Sequence, residues 1–305
     1  MKNLLQNNEL ILMEMSVVEV LRRLKDIKLH ETLLISPLLY NEKASKSLQE
    51  IYQTYISGAI SAELPILLCT PTWRADKSRV LNSDVNHKIN IDNAHFLNEI
   101  KKANPQHLDK IKIGGLIAPK NDCYKPEEGL SSKDAQEYHE WQINELVEGG
   151  VDFLIAETLP NVQEALGIAK AMEKSKTDYI ISFVISKDGY ILDGTSLLDA
   201  IELIDSQTTT KPLGYMVNCS YPTFLCADKQ PKELFYRLIG FLANASSLDH
   251  CELENADNLE SESVSDWGDE MIKLYKNHGV KVLGGCCGTT DEHLKYIDTH
   301  AERKI

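Results

Sequence analysis

The sequence lacks a long hydrophobic run, an excess of basic charge and a glycine-rich phosphate-binding pattern. No apolar stretch approaches the roughly 20 residues that a membrane-spanning helix needs. With 32 basic and 46 acidic side chains, the formal net charge is −14, and so acidic a chain has no electrostatic attraction for a phosphate backbone. No G-x-G-x-x-G or Walker pattern surrounds the pair Gly114-Gly115. We therefore expect no membrane span and no nucleic-acid partner.

Signals for export and for division into modules are also missing. The N-terminal segment has only a short apolar stretch, flanked by Glu9 and Glu14, and no small-residue cleavage site follows it. We find neither an internal repeat nor a Pro/Gly/Ser-rich linker. The 305 residues are 43% hydrophobic and 26% charged, an ordinary globular composition. The sequence predicts a cytoplasmic protein in which residues 1–305 form one domain.

Eight short apolar runs recur along the chain, with helix-like segments between most of them. They cover residues 10–13, 65–70, 111–118, 152–158, 179–185, 212–218, 237–243 and 281–285. Continuous apolar strands that alternate with helices are typical of a parallel sheet buried on both faces. Eight of them in a chain of this length predict an α/β fold, a single (β/α)₈ TIM barrel, with an open doubly wound sheet as the alternative. We interpret residues 33–40 as an extended loop and the acidic stretch 248–269 as an exposed loop.

Three of the seven cysteines follow predicted strands, at the end where a barrel places its active site. Cys286 and Cys287 lie in the segment GGCCGT directly after the last strand, and Cys219 ends the sixth. The flanking glycines allow a sharp turn, so the adjacent cysteines can share one metal ion. Three thiolates suit Zn²⁺, and a fourth, open position would make the site catalytic. Metal or thiol chemistry is favoured over a disulfide framework in a chain expected to be intracellular.

Zinc would change the chemistry of a bound substrate thiol. A free thiol is only slightly ionised at pH 7, whereas a zinc-bound thiol is deprotonated. Three thiolate ligands make the metal a weak Lewis acid, so the substrate sulfur stays electron-rich and suited to attack on an alkyl group. Structural packing or a redox pair is the alternative for the trio. We expect the other four cysteines to be inert side chains: Cys69, Cys123, Cys226 and Cys251.

These motifs resemble the homocysteine S-methyltransferase family. The resemblance rests on GGCCGT (284–289), on the Asn-Cys pair at 218–219, and on segments 70–80, 122–170 and 186–201. It runs from about Pro65 to Tyr296. It implies a zinc-dependent (β/α)₈ barrel enzyme that methylates homocysteine to methionine. The implied partners are a small thiol acceptor and a small methyl donor of the sulfonium or betaine type, and the oligomeric state stays open.

The resemblance also implies roles for single residues. Asn244 falls where the family has an Asn that supplies an oxygen ligand to zinc when no substrate thiol is bound. Glu157 matches a Glu that binds the substrate's amino group; the alternative is a carboxylate that caps the following turn. Asn218 would be a polar orienting group beside the zinc. The zinc ligands themselves would be Cys219, Cys286 and Cys287.

The first strand departs from the family pattern. The family has Asp-Gly-Gly-Met-Gly-Thr or a close variant there, and the corresponding segment here is Glu14–Glu19, EMSVVE. Glu14 would stand for the Asp as a substrate-binding residue. Side chains now crowd a turn that should bring backbone N–H groups to a carboxylate. Two alternatives follow: a methyltransferase for a different small thiol, and a non-catalytic zinc-binding or redox-sensing homologue.

Other polar residues follow the predicted strands. Trp73, Arg74 and Asp76 come after the second strand, where they line the mouth of the barrel or belong to the surface. Tyr124 follows the third strand and either contacts a cationic methyl donor through its ring or makes structural hydrogen bonds. His139 lies within the predicted helix 132–148, and we interpret it as part of the helix surface.

Overall fold

The computed structural model describes residues 1–248 and 261–301, which contain a closed barrel of eight parallel strands. Each strand pairs with the next along the chain, and β1 pairs with β8 to close the ring. The predicted (β/α)₈ barrel is confirmed, and all eight predicted strands are present. The strands are β1 (Ile11–Met13), β2 (Ile66–Cys69), β3 (Ile111–Ile117), β4 (Phe153–Leu159), β5 (Tyr179–Phe183), β6 (Gly214–Ser220), β7 (Leu238–Ala243) and β8 (Val282–Gly285).

Ten α-helices lie in the two described ranges, and most of them connect consecutive strands. They are α1 (Lys2–Asn7), α2 (Val18–Arg23), α3 (Glu42–Ser61), α4 (Lys77–Leu81), α5 (Ile89–Lys102), α6 (Ser132–Glu148), α7 (Val162–Lys174), α8 (Leu197–Gln207), α9 (Val264–His278) and α10 (Asp291–His300). Between β6 and β7 three short 3₁₀ helices replace an α-helix: Pro222–Leu225, Ala227–Lys229 and Lys232–Tyr236. Among these described helices, none combines the length and the apolar character needed to cross a membrane.

Polar N-caps begin several of the helices that surround the barrel. Ser131 accepts a hydrogen bond from Asp134 N at the start of α6, and Gly149 ends that helix, as its sequence predicts. Asn161, Ser196 and Ser263 cap α7, α8 and α9 in the same way. These caps fix where each helix begins after the loop that follows the preceding strand.

Two loop predictions differ from the structure. The segment 33–40 contains a 3₁₀ helix, Ser36–Tyr40, rather than a wholly extended loop. Of the acidic stretch, residues 249–260, including Cys251, lie outside the described residues. From Val264 onwards the stretch is helix α9, and Trp267 is fully buried. The exposed-loop prediction was wrong there because the acidic residues occupy one face of a helix whose other face is apolar.

Side chains alternate along the strands between the inside of the barrel and the layer beneath the helices. In β1, Ile11 and Met13 join the apolar cluster inside the barrel, whereas Leu12 joins the larger cluster outside it. In β5, Ile180 points inward and Ile181 outward in the same way. Both faces of the sheet are therefore buried, which explains why the strands read as continuous apolar runs.

Helix α1 covers the amino-terminal end of the barrel. Leu5 packs against the interior cluster, and Lys281 Nζ donates a hydrogen bond to the Leu5 carbonyl at 2.7 Å. The amino group of Met1 lies 3.4 Å from the Asp178 carboxylate. Lys281 and Asp178 directly precede β8 and β5, so these contacts place α1 at the end of the barrel opposite to the carboxyl ends of the strands.

His139 is buried, so the interpretation of this residue as helix surface was wrong. Its imidazole is 1% exposed, and Nε2 lies 3.1 Å from Glu164 Oε1 on α7. The Glu164 carboxylate also accepts hydrogen bonds from the backbone N–H groups of Lys120 and Leu130. Burial opposes ionisation of Glu164, but these hydrogen bonds together hold its pKa below the usual range. The pair connects α6, α7 and the loop after β3, and this packing of α6 against α7 covers the face that carries His139.

Candidate functional site

A cavity of about 270 Å³ opens at the carboxyl ends of the strands. Active sites of barrel enzymes lie at this face. The predicted site residues that line the cavity come from the ends of β1, β4, β6 and β8: Glu14, Glu157, Asn218, Cys219, Cys286 and Cys287. Asn244 is not among the lining residues. The structure therefore brings six of the seven predicted residues to one cavity.

The three predicted zinc cysteines lie together on one part of the cavity wall. The sulfur atoms of Cys219, Cys286 and Cys287 all lie within 4.8 Å of one another. Cys219 has a left-handed backbone with φ of 52°, and the register of β6 against β7 shifts between Asn218 and Ser220. This irregularity re-aims the side chain at the strand end, as bulges near active sites do.

Glycine is required in the turn that carries Cys286 and Cys287. A Cβ atom at Gly285 would collide with Thr289 and with Met15, and Gly288 has φ of 82°. Thr289 Oγ1 donates to the Cys286 carbonyl at 2.7 Å and accepts from Ser16 N at 3.2 Å. The turn is therefore compact, and Thr289 connects it to the segment after β1.

The sulfur atoms of Cys219 and Cys286 lie in direct contact, and Cys287 beside them is an exposed thiol. The three clustered sulfurs fit the predicted metal or thiol chemistry. The ends of β6 and β8 bring the two Cα atoms to 5.4 Å, a separation normal for a disulfide. Oxidation of this pair to a disulfide would exclude ligation by all three thiolates, so the oxidised pair and the three-thiolate site would be alternative states of the same residues.

Two partly buried carboxyl groups, those of Glu14 and Glu157, form another part of the wall. Glu14 Oε2 accepts a hydrogen bond from Cys69 N at 2.7 Å, and the Cys69 thiol donates to Glu157 Oε1 at 3.7 Å. Burial raises the pKa of Glu157 to about 7. Burial, and then the neighbouring Glu157, raises the pKa of Glu14 well above its usual range. Near neutral pH the pair is thus only partly ionised, and a ligand with a positive charge would favour its ionised form.

The Asn218 side chain lies between Thr158, which follows Glu157 on β4, and Cys219 on β6, and it is hydrogen-bonded to both. Its Oδ1 accepts hydrogen bonds from Thr158 N at 2.8 Å and from Ser182 Oγ at 2.7 Å, and its Nδ2 donates to Cys219 Sγ at 3.5 Å. Thr158, directly after Glu157, has a left-handed backbone with φ of 59°. Asn218 is fully buried and is hydrogen-bonded to both left-handed residues, Thr158 and Cys219, while its predicted orienting role stays a prediction.

Asn244 lies beside the cysteine turn. Its Oδ1 accepts a hydrogen bond from Cys287 N at 3.2 Å, and its backbone carbonyl accepts one from Trp267 Nε1 at 3.0 Å. The side chain therefore supports the backbone of Cys287, while its predicted role as an oxygen ligand stays a prediction.

Of the other predicted residues, Trp73 and Tyr124 line the cavity, and Arg74 and Asp76 do not. Trp73 Nε1 donates to Thr158 Oγ1 at 2.9 Å, and the Arg74 guanidinium stacks 4.0 Å from the centroid of the Trp73 ring. Asp76 caps α4 by accepting a hydrogen bond from Arg79 N at 3.1 Å. Trp73 therefore forms part of the cavity wall, whereas Arg74 and Asp76 make structural contacts outside the cavity.

Several polar residues in or beside the cavity had no predicted site role. Cys69 contacts Glu157, Cys123 lines the mouth, and Glu19 and Arg22 reach the cavity from α2. The strand-end rule could have identified Cys69, which ends β2. Arg22 carried no signal, because nothing in the sequence showed which face of the short helix α2 would turn towards the cavity.

Comparison with known proteins agrees with this geometry. The family model for homocysteine S-methyltransferase matches residues 13–301. Homocysteine S-methyltransferase YbgG of Bacillus subtilis is 24% identical over 212 residues, 66% of this chain and 64% of that protein. Homocysteine S-methyltransferase 2 of Zea mays is 28% identical over 175 residues, 53% of this chain and 48% of that protein. The match thus spans less than two thirds of the length of either relative.

A solved structure has the same fold. The metallated form of the homocysteine methyltransferase MmuM from Escherichia coli superposes with a TM-score of 0.75 at 17% sequence identity. The superposition covers 97% of this chain and 98% of MmuM. It extends the likeness in fold over nearly the whole of both chains.

Proposed function

Because this chain belongs to the homocysteine S-methyltransferase family, we propose that it transfers a methyl group from a small activated donor to the thiol of homocysteine, giving methionine. The observation that carries the proposal is a single cavity that contains three clustered cysteine sulfurs and the Glu157 carboxyl group. An amino-acid thiol has a sulfur and an ammonium group, and the cavity offers a partner for each. The donor would be of the sulfonium or betaine type.

We propose Zn²⁺ as the cofactor, held by the thiolates of Cys219, Cys286 and Cys287. Three sulfurs within 4.8 Å of one another fit the donor set that zinc prefers. The Asn244 amide oxygen keeps a second lone pair beside its bond from Cys287 N, which suits it as the fourth ligand while no acceptor is bound. When bound, zinc would keep the acceptor thiol ionised at neutral pH.

The side chains of the cavity would bind and orient the acceptor and the donor. Glu157 accepts hydrogen bonds from the acceptor's ammonium group, and Glu14 stands next to it. Asn218 holds the backbone of Thr158 and thereby the direction of Glu157. Trp73 and Leu116 provide apolar wall that excludes water, and the Tyr124 ring is placed to contact a cationic donor.

A methyl-transfer assay tests the proposal. The reduced, zinc-loaded protein is incubated with L-homocysteine and, in separate reactions, a sulfonium donor or glycine betaine, and methionine is measured. The same preparation, stripped of zinc by a chelator and then reloaded, is the matched control. Methionine in the loaded and reloaded samples alone supports the proposal. Full activity after stripping contradicts the zinc dependence, and no methionine with any donor contradicts the function.

A different small thiol is the second candidate acceptor. Met15, Val17 and Val18 place side chains along the cavity at the segment where the family has glycines. These side chains occupy space next to Glu14, so an acceptor smaller than homocysteine would fit the same cysteine wall. A panel of small thiols in the same assay separates the two candidates.

The cytoplasmic location and the single domain over residues 1–305 also stay predictions.

A further inference from the structure

Among the lining residues in the described part of the chain, the cavity has one basic side chain and several acidic ones. Glu14, Glu19 and Glu157 are acidic, and Arg22 is basic. Homocysteine brings one ammonium and one carboxylate into this cavity. Glu157 accounts for the ammonium, but a carboxylate beside Glu14 or Glu157 would meet charge of its own sign. The acceptor's carboxylate therefore needs a donor elsewhere on the wall.

Part of the backbone of the segment after β1 is already engaged within the protein. Glu14 N donates to the Leu67 carbonyl at 3.1 Å, Ser16 N to Thr289 Oγ1 at 3.2 Å, and Glu19 N to Ser16 Oγ at 3.3 Å. Three of the six backbone N–H groups from Glu14 to Glu19 are therefore engaged within the protein. A carboxylate cannot collect these donors as it would in an open nest of glycines.

Arg22 has the geometry and the spare capacity for this role. It lies on α2, it is more than half exposed, and its Nη1 pairs with Glu19 Oε1. Arg23 also pairs with Glu19, at 3.5 Å, so Glu19 keeps a basic partner when Arg22 turns to a ligand. A guanidinium has five N–H donors in a planar fork that matches a carboxylate, and one contact with Glu19 leaves most of them available.

We infer that Arg22 binds the carboxylate of the acceptor and is a specificity-determining residue for amino-acid thiols over simple amine thiols. The inference rests on the proposed function, because it takes homocysteine as the acceptor. In the divergent segment between β1 and α2, the Arg22 side chain would replace backbone N–H groups as the donor to the carboxylate. Two of those groups, Ser16 N and Glu19 N, already donate to Thr289 Oγ1 and Ser16 Oγ.

A pair of ligands tests the inference by calorimetric titration into the reduced, zinc-loaded protein. L-Homocysteine carries the carboxylate, and 3-aminopropane-1-thiol is the same molecule without it. We expect Arg22→Gln to weaken the binding of L-homocysteine about tenfold and the binding of the amine thiol less than about twofold, because only the carboxylate contact is lost. Arg22→Lys should recover part of the affinity, since it keeps the charge without the fork.

Arg23→Gln is the matched control, because Arg23 shares the helix and the Glu19 partner but does not line the cavity. It should leave both affinities unchanged. Equal losses for the two ligands in Arg22→Gln, or no loss for either, would overturn the inference while the proposed function stands. If wild-type protein binds the amine thiol as tightly as L-homocysteine, the inference is also wrong. If it binds no L-homocysteine at all, the proposed acceptor fails, and the inference fails with it.

Discussion

The cavity wall formed by β4, β6 and β8 follows the family pattern, whereas the wall formed by β1 and α2 does not. The first wall carries Glu157, Asn218 and the three clustered cysteines, tied together by buried hydrogen bonds. The second carries Glu14, apolar side chains and the Glu19–Arg22 pair. The two walls of the cavity would therefore have different tasks. Under the proposed function, thiol chemistry would depend on the first wall, and recognition of the rest of the acceptor would be divided between both.

The largest expected effect comes from removing a cysteine of the first wall. Cys286→Ser should abolish stoichiometric zinc binding and reduce methyl transfer by more than the roughly 10- to 100-fold typical of lost outer-shell partners. Zinc content of the purified, reduced protein and the rate of methionine formation measure both effects. Cys226→Ser is the control, since Cys226 lies outside the cavity and donates to the Lys187 carbonyl. Full zinc content in Cys286→Ser would contradict the proposed ligand set.

The next effect separates the two carboxyl groups. Glu157→Gln should weaken the binding of L-homocysteine about 10- to 100-fold, because a charge-assisted bond to the ammonium is lost. It should leave 4-mercaptobutanoate, which has no amino group, nearly unaffected. Glu14→Gln should have a smaller effect on both ligands, because burial and the neighbouring Glu157 raise the pKa of Glu14 and so disfavour its charged form. A larger loss of affinity for L-homocysteine in Glu14→Gln than in Glu157→Gln would indicate that Glu14, on the divergent wall, binds the ammonium group.

The pH dependence of binding gives a third test of Glu157. Its pKa of about 7 means that the carboxyl group loses its negative charge as the pH falls through neutrality. The affinity for L-methionine, which has no thiol to ionise, should therefore fall as the pH drops below 7, by up to about tenfold for each pH unit. Calorimetric titrations between pH 5.5 and 7.5 measure this slope. In Glu157→Gln the profile should be flat, and a wild-type slope that persists in the variant would assign the titration to another group.

The smallest expected effect concerns the connection between the walls. Thr289→Val removes the hydroxyl that accepts from Ser16 N and donates to the Cys286 carbonyl, in a residue that is 1% exposed. It should lower the free energy of unfolding by about 1–3 kcal/mol, because the buried Ser16 N loses its acceptor, while the Cys286 carbonyl keeps its bond from the backbone N–H of residue 289. Urea denaturation measures this loss. Unchanged stability would show that the two walls are not coupled through this hydroxyl.

The sequence was sufficient to predict the parts of the molecule that depend on local pattern. The eight strands are apolar on both faces, so each stands out as a short continuous run. Glu157, Asn218, Cys219, Cys286 and Cys287 could be placed at one mouth, because residues at strand ends converge in a parallel barrel. The resemblance to the family supplied their expected roles.

Features that depend on contacts between distant elements could not be predicted. Cys69 and Glu157 are 88 residues apart, and their contact depends on the closure of the barrel. The left-handed backbones of Thr158 and Cys219 follow from register shifts between neighbouring strands, which leave no mark in the local sequence. The burial of His139 likewise depends on how closely α6 packs against α7.

Calorimetric titration of L-homocysteine into the reduced, zinc-loaded protein tests the central claim most directly, because it needs no knowledge of the donor. The account predicts one binding site per zinc in wild-type protein and no binding in Cys286→Ser. It also predicts that Arg23→Gln binds as wild type does. Equal binding by wild type and Cys286→Ser, or no binding by fully zinc-loaded wild type, would contradict the claim that the cysteine wall binds the thiol of homocysteine.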